Sequence, residues 1–102
     1  MKLYYVYIIS NRNLSPLYVG VTNNLEKRIW EHKNKIHTES FSAKYNLDKL
    51  LYWEQIQSIQ SAIAREKQLK NWHKQWKMDL IRTKNRRFID LALFPAYEDP
   101  EL

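Results

Sequence analysis

The sequence predicts an α+β domain: a small three-stranded sheet, antiparallel or mixed, flanked by helices in the order β-β-α-β-α-α. Three observations carry this reading. Leu3–Ser10 and Leu17–Val21 are short apolar runs rich in Tyr, Val and Ile, separated by the turn-like stretch Asn11–Pro16. Two later stretches repeat their apolar residues at helical spacing. Between them lies a third strand-like run, Lys49–Glu54. A chain of 102 residues holds one domain and can bury one core without staples.

The first two strands form a hairpin with a longish loop. Asn23 is a good helix N-cap, and Glu26 three residues on gives a capping-box spacing. A helix then runs to about Lys35, with Leu25, Ile29, His32 and Ile36 along one stripe. Thr38–Asn46 is polar and serine-rich and reads as a loop. The next helix opens near Ser58 and ends near Trp72; its stripe is Ile59, Ala62, Ile63, position 66 and Leu69. A basic helix over Gln75–Arg82 follows, and Phe88–Leu93 is helix or coil. Residues 1–94 form the domain, and 95–102 an acidic tail ending Glu98-Asp99-Pro100-Glu101-Leu102.

Composition removes several function classes. With no cysteine, disulfides, thiolate zinc sites and cysteine nucleophiles are excluded. Gly20 is the only glycine, so glycine-rich phosphate loops are excluded too. No apolar run approaches the ~20 residues of a membrane span, and no signal-peptide pattern follows Met1. A cytoplasmic protein without a membrane partner is expected. The net charge of +6 favours an anionic partner. From Arg65 to Arg87, nine Lys/Arg against two acids give +7, with Trp72, His73 and Trp76 interleaved. Such a run suits nucleic acid, where lysines meet phosphates and aromatics pack or stack, although solvated basic helices are also common.

Glu66 breaks the pattern of its helix by occupying the apolar stripe. Carboxylates are rarely buried unless paired or bound to a metal. Either it pairs with Arg65, Lys70 or a residue across the core, or it holds a cation at the rim of a cleft. Arg28 and His32, four apart, share a helix face and could converge on a phosphate. Tyr7 and Tyr18 read individually as core tyrosines with a partnered hydroxyl.

Taken in order, Tyr5-Val6-Tyr7, Tyr18-Val19-Gly20, Arg28, His32 and Glu66 resemble the GIY-YIG nuclease superfamily. The stretch Ala62–Trp72 with Trp76-Lys77 looks like its small stand-alone bacterial group (UPF0213-like), related to the catalytic domain of the UvrC excision nuclease. Tyr5 stands where the family pattern has its first glycine. His37 or Tyr45 could fill the additional His or Tyr position that some members use, and Asn71 and Asn85 are available for a late Asn.

The resemblance implies the GIY-YIG fold and an endonuclease that hydrolyses phosphodiesters in DNA, in repair or recombination, with RNA left open. It implies one Mg²⁺ or Mn²⁺ on Glu66, Arg28 on the scissile phosphate, Tyr7 or Tyr18 as general base, and His32 orienting that tyrosine or relaying its proton. Gly20 would let the backbone approach the substrate, and Lys67, Lys70 and Lys74 would follow the phosphates. The alternative is a nucleic-acid-binding module that keeps the fold without cutting. Four Trp and seven Tyr leave room for an aromatic homodimer patch, and a larger protein partner could supply specificity.

Overall fold

The computed structural model describes residues 2–92, so the acidic tail and the end of the 88–93 segment lie outside the described residues. The element order is β1 (Tyr4–Ser10), β2 (Tyr18–Thr22), α1 (Leu25–Lys33), α2 (Phe41–Lys44), β3 (Lys49–Ile56), α3 (Ile59–Lys70) and α4 (Lys74–Arg82). The strands form one antiparallel sheet in the order β2-β1-β3, as the α+β reading requires. β1 is central, and its last five residues are buried.

Alternation along β1 divides the core into two layers. Val6 and Ile8 join Val19, Leu51, Tyr52, Ala62, Leu69 and Ile81, so α3 and α4 cover one face. Tyr7 and Ile9 join Leu25, Ile29, Leu47 and Leu50, which places α1 on the other. A bulge sets Ile8 opposite Tyr52 but Ile9 opposite Leu50. The extra residue, Leu51, therefore shares a face with Tyr52.

Several boundaries differ from expectation for local reasons. Asn24, not Asn23, caps α1: its side chain accepts from Lys27 N at 3.1 Å, while Thr22 Oγ1 accepts from Asn24 N. The helix stops at Lys33, Lys35 takes φ 51°, and Ile36 is left exposed rather than on the stripe. Within the expected 38–46 loop, Ser40 caps the one-turn helix α2, which is too short for periodicity to reveal. On α3 the buried stripe narrows to Ala62 and Leu69, and Ile59 and Ile63 are exposed.

The C-terminal part of the described chain is pinned to β3. Asn85 is buried; its amide donates to Leu51 O and Ile89 O and accepts from Ile89 N. Leu91 N donates to Leu50 O, and the Asp90 carboxylate accepts from Leu50 N and Lys33 Nζ. The start of β3's outer edge is thereby covered, which removes an open pairing edge. Residues 88–92 are neither helix nor strand.

Candidate active site

The register of the hairpin places Tyr7 opposite Gly20. A Cβ at Gly20 would overlap Cζ and the hydroxyl of Tyr7. Gly20 has an ordinary φ, so its role is to leave room for this ring. Sequence reasoning gave that space to the substrate; in the fold Tyr7 fills it.

Tyr7 is 1% exposed, and its hydroxyl sits between two residues of α1. Arg28 Nε donates to it at 3.4 Å, and His32 Nε2 lies 3.0 Å away. Arg28 is also held by Glu31, at 3.1 Å from Nη1 to Oε1. The four-residue spacing of Arg28 and His32 thus brings both onto one hydroxyl. His32 Nδ1 in turn lies 2.8 Å from Ser42 Oγ, and Ser42 Oγ lies 3.2 Å from Ser40 Oγ.

The direction of this chain follows from its ends. A guanidinium only donates, so the Tyr7 oxygen accepts from Arg28 and its own proton points to His32 Nε2. Burial lowers the His32 pKa to about 4, and the positive charges of Arg28 and His37 add to the effect. His32 is therefore neutral at pH 7, Nε2 is its acceptor, and Nδ1–H donates to Ser42 Oγ. The same burial raises the Tyr7 hydroxyl to about 12; Arg28 opposes the rise, while the charges of Tyr18 and Glu66 add to it.

Two results follow. His32 binds a proton below pH 6.5 when unfolded but only near pH 4 when folded. Its stability contribution is thus full above pH 6.5 and is lost as pH falls from 6.5 to 4, by at most about 3 kcal/mol. Urea titrations across this range should show the wild type weakening more than His32→Gln. Ser42→Ala removes the Nδ1–H acceptor. The ¹⁵N spectrum of His32 should then move from one tautomer toward a mixture, with Ser42→Thr restoring it. An unchanged spectrum would show that Tyr7 alone fixes the tautomer.

Tyr18, on β2, completes the cluster by its ring, which meets His32 edge-on at 6.2 Å and Phe41 nearly parallel at 5.9 Å. Lys70 Nζ lies 5.8 Å from the same ring and 3.3 Å from Glu66 Oε1. Glu66, on α3, is thus linked to the Tyr18 ring through Lys70, with its side chain 17% exposed. Its salt-bridge partner is Lys70 on the next turn. Arg65 turns away to hold Glu54 through Nε and Nη2 and to lie over Trp72.

Residues 3–79 match the family model described as the GIY-YIG catalytic domain. The chain belongs to the GIY-YIG family. It is 39% identical over 85 residues to a UPF0213 protein of Clostridium perfringens, covering 79% of this chain and 85% of that protein. It is 31% identical over 87 residues to a UPF0213 protein of Syntrophus aciditrophicus, covering 85% and 99%. A third UPF0213 protein, from Staphylococcus haemolyticus, is 34% identical over 85 residues, covering 79% and 96%. No solved structure matches. Membership places the chain in a nuclease family.

The two GIY-YIG triplets, Tyr5-Val6-Tyr7 and Tyr18-Val19-Gly20, lie on the paired strands β1 and β2 and meet where Tyr7 stands opposite Gly20. Of the residues singled out from sequence, Tyr7, Tyr18, Gly20, Arg28, His32, Glu66 and Lys70 converge here. Lys67 and Lys74 are exposed on α3 and at the start of α4; among the described residues neither forms an ion pair or side-chain hydrogen bond with the cluster. His37 acts on His32 through its charge, whereas Tyr45 packs against Phe41 at a tilt, one ring farther out. Asn85 is the structural latch on β3, and Asn71 bonds back to Lys67 O on its own helix. Ser42 and Phe41 were missed because both belong to α2.

No group of three or more His, Cys, Asp or Glu that could hold a metal occurs among the described residues. Glu31 is taken up by Arg28, and half-buried Glu66 alone does not make a protein-built cage. It does fit Mg²⁺ or Mn²⁺, which keep most of their waters and take one or two carboxylates with substrate oxygens. Lys70, its partner, has a side chain 46% exposed. Among the described residues no helix is long and apolar enough to cross a membrane.

Proposed function

We propose that this chain is a metal-dependent endonuclease that hydrolyses phosphodiester bonds in DNA. The observation that carries the reading is the joining of Tyr7, Arg28 and His32 by hydrogen bonds beside Tyr18, with Glu66 linked to the Tyr18 ring through Lys70. A core that needed only packing would have no use for this arrangement of a cation, a neutral imidazole and a carboxylate around two phenols.

Glu66 would hold Mg²⁺ or Mn²⁺, which when bound supplies charge stabilisation at the phosphate and a coordinated water. Arg28, fixed at Nε by Tyr7 and at Nη1 by Glu31, would present its guanidinium to the scissile phosphate and offset the growing charge. Tyr7 is ill-placed to accept a proton from water. Its oxygen already accepts from Arg28, its proton is given to His32, and burial holds it protonated. Tyr18, half-buried and contacted through its ring, is the better general base. His32 positions Tyr7 and through it Arg28.

Phenylalanine substitutions separate these roles. Tyr18→Phe should lower the cleavage rate of a labelled DNA substrate by about 10²–10⁴-fold, the range of a general base. Tyr7→Phe should slow it less and should shift the His32 ¹⁵N signal, which Tyr18→Phe leaves in place. The reverse order of rates would make Tyr7 the base. If neither substitution slowed cleavage, no tyrosine base would operate. A protein that binds DNA in a salt-dependent way but cuts none of duplex, flap, branched or single-stranded DNA with Mg²⁺ or Mn²⁺ would instead be a binding module.

A further inference from the structure

The Tyr18 ring does not end the aromatic arrangement at the site. Phe41 stacks on it at 29° between ring planes, and Tyr45 lies 4.6 Å from Phe41 between centroids. Phe41 and Tyr45 are each 48% exposed. The three rings form a ladder that starts at the phosphate-handling cluster and ends in solvent.

The ladder stands on a firmly tied piece of backbone. Ser40 caps α2 by accepting from Ala43 N, and Asn11 Nδ2 donates to Tyr45 O at 2.9 Å. Ser42 is held by His32, and Leu47, just after the turn, is fully buried. Two large rings are thus kept in water by four separate attachments. Their outward faces serve no packing purpose that the fold requires.

Charge at the inner end narrows the choice of occupant. Lys70 sits over Tyr18, Arg28 touches the Tyr7 hydroxyl, and Lys44 lies on α2 itself. A flat π-face beside cations suits a partner that carries flat rings on an anionic backbone. An aliphatic or acidic protein surface would match only one of these features.

We infer that Phe41 and Tyr45 form a stacking platform for an unpaired nucleobase next to the phosphate handled by Arg28 and Glu66. The preferred substrate then has a single-stranded or frayed segment at the cut, because a base inside a duplex cannot offer its face. This inference rests on the nuclease reading for the position of the cut. The stacking itself does not depend on cleavage.

The test measures binding with EDTA present, so that no cutting intervenes. Fluorescence anisotropy of a labelled oligodeoxyadenylate, and of a labelled blunt duplex, would be followed for the wild type, Phe41→Ala, Tyr45→Ala and Phe41→Trp. Loss of a stacked base costs about 1–3 kcal/mol, so Phe41→Ala should weaken single-strand binding roughly tenfold. Duplex binding should hardly change, and Phe41→Trp should keep or raise the single-strand affinity. An abasic strand should bind wild type and Phe41→Ala alike. Oligoriboadenylate, which carries the same bases, distinguishes RNA from DNA as the source of the unpaired strand; selective loss with either supports the platform.

Equal weakening of single strand and duplex would overturn the inference, as would no effect of Phe41→Ala on any strand. Retention of the His32 ¹⁵N signal in Phe41→Ala guards against collapse of α2. Absence of cleavage by the wild type with Mg²⁺ would refute the nuclease reading but leave a selective Phe41 effect standing, so the two can fail separately.

Discussion

Glu66→Gln should lower metal-dependent cleavage of DNA by roughly 10³-fold or more, while melting temperature and salt-dependent DNA binding stay near wild type. The magnitude follows from the several kcal/mol of charge stabilisation that a bound metal supplies, at a factor of ten in rate for each 1.36 kcal/mol. Glutamine keeps the size of the side chain but binds a hard cation poorly. The substitution breaks the ion pair with Lys70, whose side chain is 46% exposed. A part-exposed pair within one helix, four residues apart, contributes little, at most about 1 kcal/mol. Rates at saturating Mn²⁺ and at graded Mg²⁺ check the outcome. A variant that cuts as fast as wild type would remove Glu66 from the reaction and leave it as a partner for Lys70.

Gly20→Ala should be the most damaging small substitution in the chain. The added methyl falls on the Tyr7 ring, and β1 and β2 are locked in register around it. Tyr7 must leave its place, which breaks its hydrogen bonds to His32 and Arg28. Overpacking of this kind costs about 1–3 kcal/mol, and a melting temperature lower by about 10 °C is expected. Cleavage should fall as well, because Arg28 loses one of its two anchors. A Tyr7→Leu background makes the cause testable. Leucine ends short of the methyl, so adding Gly20→Ala there should cost little, and the two substitutions should be strongly non-additive. Simple additivity would place the damage somewhere other than the ring.

Sequence made the sheet and three of the helices legible because their apolar periods are long enough to read. It also showed that Glu66 was misplaced for a core helix and that Arg28 and His32 shared a face. Three things escaped it. Four residues of α2 hold no period, so Ser42 and Phe41 passed as loop. The stripe of α3 looked wide because Ile59 and Ile63 are apolar, but the residues that helix buries are Ala62 and Leu69. The reason for Gly20 could not be read without the cross-strand register, since its close neighbour is thirteen positions away in the chain.

The two layers of the core have a further consequence. Arg28 and His32 are carried by α1, over one layer of the core, and Glu66 by α3, over the other. Fluctuations that loosen either layer, without unfolding the molecule, would pull the reacting groups apart. Under the proposed endonuclease function, cleavage is governed by the less stable layer, so on warming it should cease while most of the backbone is still folded.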